Sequence, residues 1–295
     1  MRTARTTPAT FSDEIHCADI LALAATLPRG HVQTVVTSPP YFRLRDYGTN
    51  GQLGSETSPD RYVEHLVEVF RRLRPALRDD GTLWLNLGDV STDAGLLGLP
   101  WRVALALVAD GWRLISDVIW HKPNAMPSSS TRRPTVDHEY VFLLGASAQY
   151  YYDADAIREP HKTFSPESKM RGGRAHLEPG GRTPANGKFA GRQGLHSGAW
   201  DTAFHPKGRN KRTVWSVPLS KFRGAHFAVF PEGLITPCIL ATSRPGDLVL
   251  DPFLGSGTTA LVAKRLGRRY LGVELNADYC AMAERRLAAD ATERA

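Results

Sequence analysis

Two consecutive prolines, Pro39 and Pro40, follow directly on the apolar, β-branched run Val32-Gln33-Thr34-Val35-Val36. Such a run reads as a buried strand. Proline fixes φ and lacks the backbone N–H, so two in succession forbid helix and end ladder pairing. The chain must then leave a sheet in a stiff, extended turn, Thr37-Ser38-Pro39-Pro40-Tyr41-Phe42. Ligands of open α/β sheets bind beyond the carboxyl ends of the strands, where this turn presents a hydroxyl, backbone carbonyls and an aromatic ring. Tyr41 could stack a planar, amino-bearing ring while Ser38 and the carbonyl of Pro39 accept its hydrogen bonds. Taken alone, the segment also fits an ordinary strand-ending turn.

Strand and helix patterns alternate from about residue 15 to 144. Pro59 to Leu77 sets Tyr62, Leu66, Val69, Phe70 and Leu73 on one helical face, and Gly81 closes that unit. Residues 82–87, 112–120 and 139–144 read as strands, with a helix over 99–109. Patterning resumes near Val214: strand 247–251, helix 258–266, strand 269–274 and helix 276–287. Strands alternating with helices predict an α/β layered sheet.

The 295 residues suffice for one large domain or two modest ones. No apolar run approaches the ~18 residues that span a bilayer, and no apolar core follows the basic N-terminus as in a secretory signal. Cys17, Cys238 and Cys280 are few, odd in number and far apart, which fits a reducing, cytoplasmic compartment. Neither they nor the scattered histidines have metal-ligand spacing, so no metal is expected. Cys238, within apolar Leu234–Leu240, reads as a core residue rather than a nucleophile.

The net charge of +7 is concentrated in one place. Residues 160–213 hold eleven Lys/Arg against three acids, with nine glycines and few aliphatic residues. A segment so one-signed and so poor in core formers suits an element facing a polyanion, the alternative being a solvated loop without a role. The expected organisation is a catalytic half over 11–159, a basic insertion over 160–213 and a second half over 214–295.

Asp251-Pro252-Phe253-Leu254-Gly255-Ser256-Gly257-Thr258-Thr259 lies between a predicted strand and a predicted helix. Gly255 and Gly257 permit a tight turn and close approach to a ligand. Glu274 ends the next strand seventeen residues after Gly257, where a carboxylate can accept from both hydroxyls of a ribose. The constellation points to an adenosine-type ligand. It lacks the third glycine of a dinucleotide site and the Gly-Lys-Ser/Thr of a phosphate loop.

With these residues in view, the chain resembles the permuted, β-class amino-group DNA methyltransferases, which use S-adenosylmethionine. The family's catalytic signature is similar to Ser38-Pro39-Pro40-Tyr41, and its cofactor signature to Asp251 through Thr259. Its ribose-binding acid corresponds to Glu274 in Gly272-Val273-Glu274-Leu275. His226-Phe227-Ala228-Val229-Phe230-Pro231 resembles the stretch that wraps the methionine part of the cofactor. Asp19 matches an acid near the adenine, although a helix N-cap explains it equally well. Catalytic turn, basic insertion, then cofactor loop is the β order. The resemblance implies a Rossmann-like, seven-stranded, mostly parallel sheet with one antiparallel strand, helices on both faces and a target-recognition insertion.

The implied catalytic residues are Ser38, Pro39, Pro40 and Tyr41. The implied cofactor residues are Asp19, Thr37, His226, Phe230, Pro231, Asp251, Phe253, Gly255, Ser256, Gly257, Thr258, Glu274 and Leu275. The implied reaction is methyl transfer to an exocyclic amine of a base flipped from double-stranded DNA. Serine at the head of the turn resembles N4-cytosine enzymes, whereas aspartate is usual among N6-adenine enzymes, which is the alternative. RNA or protein-amide methylation usually carries asparagine there. DNA contact is expected from residues 160–213, with Arg132 and Arg133 as further candidates. A cognate restriction endonuclease and a homodimer are the remaining partners, in a prokaryotic or phage setting.

Overall fold

The computed structural model describes residues 11–49, 51–93, 95–161, 207–219 and 231–293. The described residues up to Asp153 and from Thr213 form one compact unit, and those of Ala154–Arg212 belong to a second. In the first unit the elements run β1 (Glu14–Cys17), α1 (Ile20–Ala24), β2 (Val32–Thr37), α2 (Pro59–Leu73), β3 (Leu77–Leu87), a small hairpin of β4 (Ser91–Thr92) and β5 (Gly95–Leu96), and α3 (Leu99–Ala109). There follow β6 (Arg113–His121), β7 (His138–Gly145), β8 (Val214–Ser216), α4 (Glu232–Thr242), β9 (Leu248–Asp251), α5 (Thr258–Arg265), β10 (Arg269–Glu274) and α6 (Ala277–Glu293). No helix among the described residues is long and apolar enough to cross a membrane.

Among the described residues, eight strands form the main sheet in the order β1-β10-β9-β2-β3-β7-β6-β8. β7 alone runs antiparallel, against β3 and β6. The mostly parallel α/β sheet with one reversed strand is therefore as expected. The additional strand is the three-residue β8, which extends the sheet beside β6 and is too short to register as a pattern in sequence.

Alternation within each strand sends side chains to two cores. Val35, Leu83 and Leu85 join the cluster under α2 and α3, while Val36 and Trp84 join the cluster under α4 and α5. α2 buries Tyr62, Leu66, Val69, Phe70 and Leu73 as its periodicity predicts, with the Ser58 hydroxyl capping its first turn. It stops at Leu73 rather than Leu77, because Pro75 cannot continue the hydrogen-bond ladder and a 3₁₀ turn over Arg74–Ala76 takes over. β3 then begins five residues earlier than expected: it opens with the polar Arg78-Asp79-Asp80, which carry no apolar signal. Cys238 lies in α4, buried in the second core, with its Sγ 3.4 Å from the Leu234 carbonyl.

The order of the strands positions the site. β2 lies between β9 and β3, so the chain leads away from β2 in one direction and from β9 in the other. Connecting helices diverge at such a junction and open a crevice at the carboxyl edge. The ends of β1, β10, β9 and β2 all emerge there.

Candidate active site

Thr37 closes β2 and Asp251 closes β9, and the Thr37 hydroxyl donates to Asp251 Oδ1 at 2.6 Å. This bond joins the turn after β2 to the loop after β9 across 214 residues of chain. Asp251 also accepts from the Thr259 hydroxyl at 2.6 Å and from the Phe253 N–H at 3.1 Å. Full burial still dominates and raises its pKa from 3.8 to about 6.

Native Asp251 thus holds its proton to a higher pH than the unfolded chain does, and stability falls as pH rises between roughly 4 and 6. The displacement corresponds to roughly 3 kcal/mol. Urea unfolding of the wild type and of Asp251→Asn should diverge across this window, with the wild type losing roughly 2–3 kcal/mol relative to the variant by pH 7. A constant difference between the two would refute the assignment.

After Thr37 the turn is held from several sides. The Tyr62 hydroxyl on α2 donates to the carbonyl of Pro40 at 2.9 Å. The carbonyl of Pro39 carries no hydrogen bond among the described residues. Gly54, at φ +92°, lies so close that a Cβ there would stand 2.8 Å from the Tyr41 carbonyl oxygen. On the far side, a Cβ at Gly88 would come within 2.7 Å of the Tyr41 ring. The ring therefore sits against bare backbone.

Tyr41 is anchored by its hydroxyl, which donates to Glu139 Oε2 at 2.6 Å. The Ser38 hydroxyl donates to Tyr41 Oη at 3.3 Å. Asn86 Nδ2 approaches Tyr41 Oη and Glu139 Oε2 at 2.8 Å each and Ser38 Oγ at 3.3 Å. Lys122 Nζ pairs with the other oxygen of Glu139. Asn86, Glu139 and Lys122 are not among the residues expected from sequence. Asn86 lies at the carboxyl end of β3 and Lys122 just past β6, while Glu139 reaches the same edge because β7 runs backwards, its first residues beside the end of β6.

A cleft opens beside the turn. Ala18, Asp19 and Ile20 wall it after β1; Pro252 and Phe253 after β9; Glu274, Leu275 and Asn276 after β10; and Pro40 from the turn. Tyr47, Thr49 and Gly51–Leu53 complete it. Asn276 Nδ2 ties this last segment down by donating to the Tyr47 carbonyl at 3.1 Å. Its glycines, Gly48, Gly51 and Gly54, all at positive φ, were the available sequence sign of a wall-forming loop.

Glu274 accepts one N–H on each oxygen, from Gly255 and from Asn276, both at 2.8 Å. A carboxylate has about four acceptor positions, so capacity remains for a ligand hydroxyl. Burial raises its pKa above the ordinary carboxylate value. Asp19 caps α1, its Oδ1 accepting from Leu21 N at 2.7 Å and Ala22 N at 3.1 Å, and lines the cleft as well. A cleft at the carboxyl edge of the sheet, with a carboxylate in its lining held by backbone N–H groups, fits a hydroxyl-bearing ligand.

The cofactor residues expected from sequence divide into two groups. Asp19, Phe253, Glu274 and Leu275 line the cleft. Thr37 and Asp251 lie beneath it, and Gly255 supports Glu274. Ser256 and Thr258 are buried, with their side chains hydrogen-bonded to Arg286 of α6. Gly257 starts α5 at φ +86°, where a Cβ would collide with Ala283. Pro231 is the buried residue preceding α4. His226 and Phe230 lie outside the described residues, as does most of 160–213.

The DNA methylase family N6_N4_Mtase matches residues 32–285, and the chain belongs to this family. It is 40% identical to the Type II methyltransferase M.Cfr9I of Citrobacter freundii, over 93% of this chain and 87% of that protein. It is also 40% identical to the Type II methyltransferase M.SmaI of Serratia marcescens, over 86% and 83%. Its fold is similar to that of the PvuII DNA methyltransferase (cytosine-N4-specific), with a TM-score of 0.66 at 19% identity, covering 92% of this chain and 85% of that one. It is similar as well to TTHA0409 of Thermus thermophilus, solved in complex with S-adenosyl-L-methionine, with a TM-score of 0.61 at 27% identity over 94% and 95%. The protein is thus a site-specific Type II DNA methyltransferase of the N4/N6 amino type, with S-adenosylmethionine as its methyl donor.

Proposed function

We propose that this enzyme methylates the exocyclic N4 amine of cytosine in double-stranded DNA, the target base being flipped out of the duplex to reach the turn after β2. The observation that carries this reading is Ser38 at the head of that turn, a neutral hydroxyl where adenine-N6 enzymes usually hold a carboxylate. An aryl amine is a weak nucleophile because its lone pair is delocalised into the ring. Hydrogen bonds from its N–H groups to Ser38 Oγ and to the uncommitted carbonyl of Pro39 pull the nitrogen towards pyramidal geometry and expose that pair. Tyr41 stacks the ring and Pro40 shapes the turn; holding the amine against the methyl group supplies much of the remaining rate.

S-adenosylmethionine supplies an electrophilic methyl group on a sulfonium. Glu274 would hold its ribose hydroxyls, Asp19 would face its adenine, and Phe253 and Leu275 would flank it. Thr37, Asp251, Gly255, Ser256, Gly257 and Thr258 would keep the loop in shape, while Pro231 with His226 and Phe230 would meet the methionine end. The basic 160–213 segment would serve as the target-recognition region, held chiefly on phosphates. A cognate restriction endonuclease and a homodimer belong to the same proposal.

The test is incubation with labelled S-adenosylmethionine and DNA, followed by nucleoside mass spectrometry. N4-methylcytosine is the expected product. N6-methyladenine would transfer the same turn to the alternative base and overturn the cytosine reading.

A further inference from the structure

We propose that Glu139, ion-paired with Lys122 and acting through Tyr41, sets the direction of a hydrogen-bond chain that makes Ser38 an acceptor and removes the proton released by methyl transfer. This rests on the reading that Ser38 faces the target amine.

The direction follows from the groups present. Lys122 has only donors, so the Glu139 oxygen it meets must accept, in a charge-assisted pair. Tyr41, 2.6 Å from the other oxygen, must then donate. Burial and the Glu139 charge both raise the Tyr41 pKa, keeping the phenol protonated for that role. The Tyr41 oxygen is left to accept, and the Ser38 hydroxyl donates to it at 3.3 Å.

Asn86 reinforces the same direction. Its amide could in principle be turned either way. An amide oxygen 2.8 Å from the Glu139 carboxylate would be repelled, so Nδ2 occupies that place and also faces Tyr41 Oη and Ser38 Oγ. The consequence is visible on the other side of the residue. Asn86 Oδ1 is buried without a partner among the described residues. An orphaned carbonyl is unfavourable, and it is retained here because the amide is oriented by the site rather than by its own satisfaction.

Ser38 Oγ therefore keeps a lone pair for the substrate. As the amine lone pair forms the new C–N bond, the C–S pair leaves with sulfur, and the nitrogen carries the positive charge. Its proton passes to Ser38 Oγ, the Ser38 proton to Tyr41 Oη and the Tyr41 proton to Glu139 Oε2. Ser38 and Tyr41 end neutral, and Glu139 ends as a neutral acid beside Lys122. Both side chains of that pair retain some solvent exposure, 16% for Lys122 and 15% for Glu139, through which the proton is discharged. Glu139 and Lys122 are positioning residues in this scheme, because neither touches the base.

The experiment is a double-mutant cycle on single-turnover methylation of pre-bound DNA, using Tyr41→Phe, Glu139→Gln and the double variant, with cofactor affinity measured by calorimetry. Tyr41→Phe keeps the stacking ring and removes only the hydroxyl. Each single variant is expected to slow transfer by about 10- to 100-fold with cofactor Kd within about twofold, and the double variant to be no slower than the slower single. Wild-type transfer by Tyr41→Phe, or losses that multiply in the double variant, would overturn the relay. A purely structural Glu139 would lower cofactor affinity and melting temperature in step with the rate, which also overturns it. If Ser38→Ala itself remains active, the reading beneath the relay fails. If Ser38→Ala is inactive while Tyr41→Phe is unimpaired, the relay alone fails.

Discussion

Ser38→Ala is expected to reduce single-turnover methylation by about 10²- to 10³-fold, the scale seen when one preorganised transition-state hydrogen bond is removed. The change deletes a single oxygen whose partners are otherwise provided for. Asn86 Nδ2 keeps Tyr41 Oη and Glu139 Oε2, each at 2.8 Å. The Tyr41 anchor on Glu139 is untouched. Pro40 remains tethered by Tyr62. The turn should therefore hold its shape, with a stability change of about 1 kcal/mol or less. Cofactor affinity should stay within about twofold, because Glu274 and the walls of the cleft lie on other strands. Rapid-quench methylation and calorimetric titration together check both halves. A variant that methylates at the wild-type rate would remove Ser38 from the chemistry.

Glu274→Gln is expected to act in the opposite sense, weakening S-adenosylmethionine binding by roughly 10²-fold while leaving transfer at saturating cofactor within about threefold. Hydrogen bonds to a charged group contribute about 1.5–3 kcal/mol, and one or two such bonds to ribose hydroxyls amount to that factor. The substitution also disturbs the fold locally. Each Glu274 oxygen accepts a backbone N–H, from Gly255 and from Asn276. Glutamine has one oxygen, so its NH₂ must face one of these donors. Burial raises the Glu274 pKa, so cofactor affinity in the wild type should weaken on acidification at a pH above the ordinary carboxylate range, a dependence the variant lacks. Calorimetry across pH checks it. Unchanged affinity in Glu274→Gln would exclude this carboxylate from the ribose.

Features written along one strand and its exit were legible in sequence. Val32–Val36 followed by two prolines has one compatible geometry, and β2 ends at Thr37. The Gly255–Gly257 turn and Glu274 belong to a single strand–loop–helix–strand unit, so their proximity is local. Asn86, Glu139 and Lys122 were hidden for a different reason. Asn86 looked like one polar residue in the run Leu83–Leu87, and Glu139 like the start of an ordinary strand. Their convergence on Tyr41 depends on β7 lying next to β3 and running against it, a matter of strand order that periodicity does not encode. The Tyr47–Leu53 wall was missed because a loop has no periodicity to read. Asp19 caps α1, as an N-cap reading of it has it, and its residue also lines the cleft.

β1, made near the start of the chain, pairs along its length with β10, made near the end. A ribosome therefore releases the turn bearing Ser38 well before it has synthesised Asp251 and Glu274, and β1 waits at the sheet edge for a neighbour that does not yet exist. Long-range pairing of this kind forms late. A chain cut short by a stalled ribosome or an early stop codon carries the Ser38 turn without the Pro252–Phe253 and Glu274–Asn276 walls of the cleft. Both sides of the cleft exist only once synthesis has passed β10.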